Sequence, residues 1–114
     1  MELDLEESDG ISILVLNGQL AAEGADQFRE AIETLLDSGR PQILLDFTGV
    51  SFMDSAGIGE LVAAYRTLDK LGGSLKILKP SKRIQESLSL TKLLPIFDIY
   101  EDRATAVASF LPPS

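Results

Sequence analysis

A chain of 114 residues with 45% hydrophobic and 25% charged side chains has the size and composition of one globular domain, able to bury a core without staples. It contains neither cysteine nor histidine, which removes disulfides, thiol nucleophiles, imidazole bases and Cys/His zinc sites together. The net charge of −8 is uneven, with 13 acids and 2 bases in residues 1–60 against 5 acids and 8 bases in residues 61–114; such an acidic surface is repelled by phosphate backbones, so no direct nucleic acid partner is expected.

The chain opens with alternating acids and leucines rather than an apolar leader, and no apolar run reaches the length of a membrane span. A soluble, cytoplasmic protein without membrane insertion is the expectation. Leu3 and Leu5 alternate with Glu2, Asp4 and Glu6, which predicts a short half-buried edge strand. Asp9-Gly10 predicts a type I′ hairpin turn, and Ile11 to Leu16 the returning strand, ended by Gly18. Ala25, Phe28, Ile32, Leu35 and Leu36 recur at helical spacing over Glu23 to Ser38, with Gly39 placed to close the helix and Pro41 to block its continuation.

Gln42 to Phe47 is a nearly continuous apolar run that suits a central strand covered on both faces. Ile58, Leu61, Val62, Tyr65 and Leu68 predict a second amphipathic helix, closed by Gly72-Gly73. Ser74 to Leu78 reads as a strand, and Ser81 as the cap of a helix carrying Ile84 and Leu88. Lys79, Lys82 and Arg83 read as the solvated start of that helix. Ile96 to Ile99 is expected to be a last short strand, and a final helix carries Ala104, Val107, Ala108 and Leu111 before Pro112-Pro113 stops it. The order ββαβαβαβα predicts a single α/β domain over 1–114, a mixed and mostly parallel sheet of about five strands with an N-terminal hairpin and about four helices.

One stretch stands apart. Val50 to Gly59 lies between the central strand and the second helix, at the carboxyl end of the strand, where open α/β sheets gather ligands and reactive groups. The helix start there offers unpaired N–H groups and a partial positive charge, a ready site for an anion on Ser55. Asp54 or Ser55 also suits a plain helix cap, and Gly57 and Gly59 a tight turn. Two glycines early in a helix each cost about 0.5–1 kcal/mol relative to alanine, which makes sense where another backbone approaches closely.

Catalytic alternatives fail on the residues. A nucleophile elbow needs glycine two positions before the serine, where Met53 stands, and there is no histidine base. Gly57-Ile58-Gly59 lacks the third glycine of a dinucleotide fingerprint. An acid/base pair of Asp46 and Asp54 is the remaining enzymatic option, and a hydrogen-bonded structural role for Asp46 is the simpler reading. No catalytic residue, metal ligand or cofactor is expected.

Phe52-Met53-Asp54-Ser55-Ala56-Gly57-Ile58-Gly59 resembles the phosphorylation-site signature of bacterial anti-sigma factor antagonists, the STAS-domain family. Gly18-Gln19-Leu20, Leu71-Gly72-Gly73, Lys82-Arg83-Ile84 and Leu93-Leu94-Pro95-Ile96-Phe97 extend the resemblance over about residues 10 to 110. The resemblance implies a partner switch. The unphosphorylated antagonist binds an anti-sigma factor that is itself a serine kinase; the kinase phosphorylates the matching serine, Ser55, and a metal-dependent serine phosphatase restores it. Asp54, Ser55, Ala56, Gly57 and Gly59 then form the partner-binding surface. The chain departs from the family at Ala21, where antagonists often carry Asp. That departure favours an alternative, a non-phosphorylated STAS subunit or scaffold, for example beside a lipid-transport ATPase or in a sensor assembly.

Overall fold

The computed structural model describes residues 1–111, so the Pro112-Pro113 stop expected from the sequence lies outside the described residues. The chain runs β1 (Glu2–Ser8), β2 (Ile11–Leu20), α1 (Glu23–Asp37), β3 (Gln42–Met53), α2 (Ser55–Lys70), β4 (Ser74–Leu78), α3 (Lys82–Leu90), a 3-10 turn (Leu94–Ile96), β5 (Asp98–Tyr100) and α4 (Arg103–Ala108). The five strands form one sheet in sequential order. β1 and β2 are antiparallel, and every later pair is parallel. This is the mixed, mostly parallel α/β sheet the sequence predicts.

Local chemistry explains the joints. Asp9 and Gly10 both have positive φ, 53° and 81°, as a type I′ turn requires. α1 ends with the Gly39 N–H donating to the Leu36 carbonyl and the Arg40 N–H to Leu35, a closure that needs the left-handed backbone of Gly39. α2 closes the same way through Gly72 and Gly73 onto Asp69 and Leu68. α3 repeats the closure with Lys92 in the left-handed position, a place with no glycine to announce it.

Two apolar layers flank the sheet. Phe28, Ile32 and Leu35 of α1, Leu61 and Leu68 of α2, and Ile84 and Leu88 of α3 pack with Leu14, Leu45, Phe47 and Ile77 into the main core. On the opposite face Ile11, Ile13, Leu44 and Leu78 are covered by Ala106 and Val107 of α4. Lys76 fastens the segment after α4, its ammonium donating to the Ser109 carbonyl and hydroxyl at 3.0 and 2.9 Å. Its stem carries the charge between the rings of Tyr100 and Phe110.

Four expectations change in extent. β2 does not stop at Gly18 but runs through it to Leu20, with register shifts on either side of that glycine. β3 continues seven residues past Asp46, its last partner on β4, to Met53. That extension pairs with β2 alone. The last strand is Asp98–Tyr100 rather than Ile96 to Ile99, because Leu94–Ile96 forms a 3-10 turn. Leu111, expected on the final helix, lies beyond it and is exposed.

Candidate functional site

The β2–β3 extension carries the segment singled out above. At its tip Leu20 pairs with Met53, the Asp54 N–H donates to the Leu20 carbonyl, and α2 begins. Asp54 is the cap of α2: its extended backbone lets the side chain turn back, and Oδ1 accepts the Gly57 N–H at 2.8 Å. Ser55 is therefore the first residue of the helix, not its cap, and its side chain is exposed. The N–H groups of Ser55 and Ala56 have no acceptor within the helix. They face the open end of the sheet with the positive end of the helix dipole.

The two glycines of the motif part company. A Cβ on Gly57 would lie 1.8 Å from the Leu20 carbonyl oxygen, so this buried glycine lets α2 rest on the end of β2. A Cβ on Gly59 would meet nothing within 4 Å. Gly59 is exposed and within the helix, and no contact in the chain itself requires its missing side chain. The close approach expected at both positions is thus found at Gly57, against the Leu20 carbonyl, and is not found at Gly59.

α1 starts on the same clamp. A Cβ on Gly24 would fall 2.2 Å from the Gln19 carbonyl oxygen, so consecutive carbonyls of β2 seat the first turns of α1 and α2. Between them the backbone is strained: Ala22 caps α1 with φ 48° and ψ −116°, a region that favours glycine. Ala21 sits beside this strain, one residue beyond the Leu20 carbonyl that accepts the Asp54 N–H. Glu23 is the exposed first residue of α1.

Charge surrounds the site on two sides. Arg29 of α1 lies among Asp26, Glu33 and Glu60. Asp26 first and Glu60 next hold its guanidinium above the usual arginine value. On the other side Arg83 at the start of α3 lies over the ring of Phe52, 5.3 Å from its centre. Sequence reasoning missed Gly24, the strain at Ala22 and the Phe52–Arg83 stack. A glycine in the first turn of each long helix was the available signal for the clamp. The stack joins residues 31 positions apart and had none.

Asp46 and Asp54 are not brought together as an acid/base pair. Asp46 accepts the Thr48 N–H and hydroxyl at 3.0 and 2.6 Å, and the strand from there to Met53 spans on the order of 20 Å. Among the described residues no group of three or more acidic side chains is arranged to hold a metal ion. No helix among them is long and apolar enough to cross a membrane.

A family profile described as the STAS domain matches residues 2–106. The anti-sigma-B factor antagonist of Bacillus subtilis is 28% identical over 99 residues, covering 87% of this chain and 90% of that protein. In three dimensions the chain is similar to the TM1081 protein of Thermotoga maritima, with 27% identity, a TM-score of 0.89 and coverage of 95% and 93%. It is also similar to the anti-sigma factor antagonist SpoIIAA, 25% identical and solved both unphosphorylated and, as the Bacillus cell fate determinant, phosphorylated. The TM-scores are 0.82 and 0.75, with 95% of this chain covered in each case and 95% and 98% of SpoIIAA.

Proposed function

Because the chain belongs to the STAS-domain family, we propose that it is an anti-sigma factor antagonist that works by partner switching through Ser55. In this reading the unphosphorylated protein binds a serine-kinase anti-sigma factor with the face formed by Asp54, Ser55, Ala56, Gly57 and Gly59, and so frees a sigma factor for transcription. The kinase then phosphorylates Ser55 and the complex parts. A metal-dependent serine phosphatase resets the switch. The chain acts by binding rather than catalysis, in the cytoplasm and without a cofactor of its own.

The observation that carries this reading is the exposed hydroxyl of Ser55 at the first position of α2. A phosphate there adds about −1.5 to −2 charges, and the free N–H groups and dipole of the helix start offset part of it within the fold. SpoIIAA has been solved in both states, which fits a phosphate that leaves the fold standing. Inside an interface the same charge is costly. Burying it beside Asp54 without new cations costs several kcal/mol, and each 1.4 kcal/mol is tenfold in affinity. The open space over Gly59 leaves room for a partner backbone at one turn from Ser55.

Ala21 beside the site favours a second reading, a STAS subunit or scaffold that is not phosphorylated. Incubation with its cognate serine kinase and ATP separates the two. The expected result is one added phosphate on wild type, seen by intact mass, and none on Ser55→Ala. Equal labelling of Ser55→Ala rejects the site, and no labelling of wild type favours the scaffold.

A further inference from the structure

Lys82 and Arg83 are the first two residues of α3, and no acid stands in that turn. Cations at a helix start oppose the helix dipole, so the stability of α3 gives no reason for two of them there. Arg83 also differs from other arginines of the chain. Among the described residues Arg29, Arg40 and Arg103 pair with carboxylates; Arg66 and Arg83 do not, and of these two only Arg83 lies over a ring, that of Phe52. A guanidinium held over a ring uses its face and keeps its N–H edges for a second, bidentate partner.

The stack borders the serine. Phe52 is 36% exposed and stands three residues before Ser55, at most roughly 10 Å along the chain. α1, α2 and α3 each follow a strand of the parallel part of the sheet, so all three begin at the same end of the molecule. On the α1 and α2 side that end carries Glu23 together with Asp26 and Glu60, which share the one cation Arg29 and leave the side net negative, and on the α3 side it is positive, with Lys82 and Arg83.

We propose that the Phe52–Arg83 stack is a second anchor of the Ser55 interface and takes a carboxylate from an acidic segment of the serine-kinase partner. A basic segment of the same partner then lies against Glu23, Asp26 and Glu60. This rests on the reading of Ser55 given above and adds the orientation of the partner. Aromatic and arginine side chains are the common energetic centres of interfaces, and opposite charges on two flanks fix which way round a partner docks.

The test is kcat/KM for phosphorylation of Ser55 by the serine-kinase anti-sigma factor encoded in the same genome. Wild type is compared with Arg83→Glu, Phe52→Ala and the control Arg66→Glu, which makes the same charge change in the second half of α2. The expected result is a loss of tenfold or more for Arg83→Glu at low salt, shrinking at high salt, a loss of at least fivefold for Phe52→Ala, and less than twofold for Arg66→Glu. Glu is favoured at a helix start, so Arg83→Glu is expected to melt no lower than wild type; if it does melt early, Arg83→Gln takes its place. A wild-type rate for Arg83→Glu, or an equal loss in Arg66→Glu, overturns the proposal while leaving Ser55 in place. Failure of wild type itself to be labelled at Ser55 rejects the underlying reading, and the anchor with it.

Discussion

Gly57 and Leu20 meet so closely that a methyl group on residue 57 would lie 1.8 Å from the Leu20 carbonyl oxygen. The obstacle is backbone on both sides, held by the β2–β3 ladder, and cannot swing away. Gly57→Ala is therefore expected to destabilise the protein by about 2–3 kcal/mol through overpacking, measured by urea unfolding. Gly59→Ala, one half-turn on, faces open space and is expected to stabilise the free protein by about 0.5–1 kcal/mol while weakening its complex with the kinase. A loss of stability in Gly59→Ala would mean the fold itself needs that glycine.

The cap of α2 separates structure from charge. Asp54→Ala removes the acceptor of the Gly57 N–H and is expected to cost about 1 kcal/mol. Asp54→Asn keeps an equivalent acceptor and should unfold within a few tenths of a kcal/mol of wild type. If Asn is as harmful as Ala in urea unfolding, the carboxylate charge rather than the cap holds the helix start.

Strain at Ala22 predicts a gain from a smaller residue. Its φ of 48° and ψ of −116° suit glycine, and strained backbone of this kind costs on the order of 1–3 kcal/mol. After the entropy that glycine adds to the unfolded chain, Ala22→Gly is expected to raise stability by about 1 kcal/mol in thermal or urea unfolding. A lower melting temperature would show that the Ala22 backbone is not strained in solution.

The start of α4 carries the pH dependence that the structure defines. Asp102 accepts both the N–H and the hydroxyl of Thr105 at 2.8 Å. The backbone hydrogen bond first and the hydroxyl second hold its carboxyl below the usual carboxylate range. Folding lowers this pKa, so the stabilisation is present above the unfolded value, near pH 4, and is lost as pH falls through the lower folded value. Amide exchange of Arg103–Ala108 is expected to accelerate below about pH 4, beyond its intrinsic pH dependence. In Asp102→Ala the helix is expected to exchange fast at neutral pH and to lose that acid step.

What the sequence disclosed depended on how local the cause was. The Asp9-Gly10 turn, the closures at Gly39 and Gly72, and the Ser81 cap are decided by neighbours within a few residues, and each was legible. The length of β3 was not. Past Asp46 it pairs with β2 alone, so Thr48-Gly49-Val50-Ser51-Phe52 lacks the continuous apolar pattern of a strand covered on both faces. That a helix starts after the strand at this segment followed from the motif, which left open whether Asp54 or Ser55 was the cap; the structure assigns the cap to Asp54. The reason for Gly57 did not follow from it, because the obstructing carbonyl belongs to Leu20, 37 residues earlier. Arg83 read as a solvated helix start for the same reason, its ring partner lying on another element.

The most direct test of the switch is the affinity of the kinase-type anti-sigma factor for two forms of this protein, one unmodified and one carrying phosphoserine at residue 55. Titration calorimetry in one buffer measures both. The account predicts tight binding of the unmodified form and at least a hundredfold weaker binding of the phosphorylated one, the consequence of about 3 kcal/mol of buried charge. Equal affinities for the two forms would contradict it.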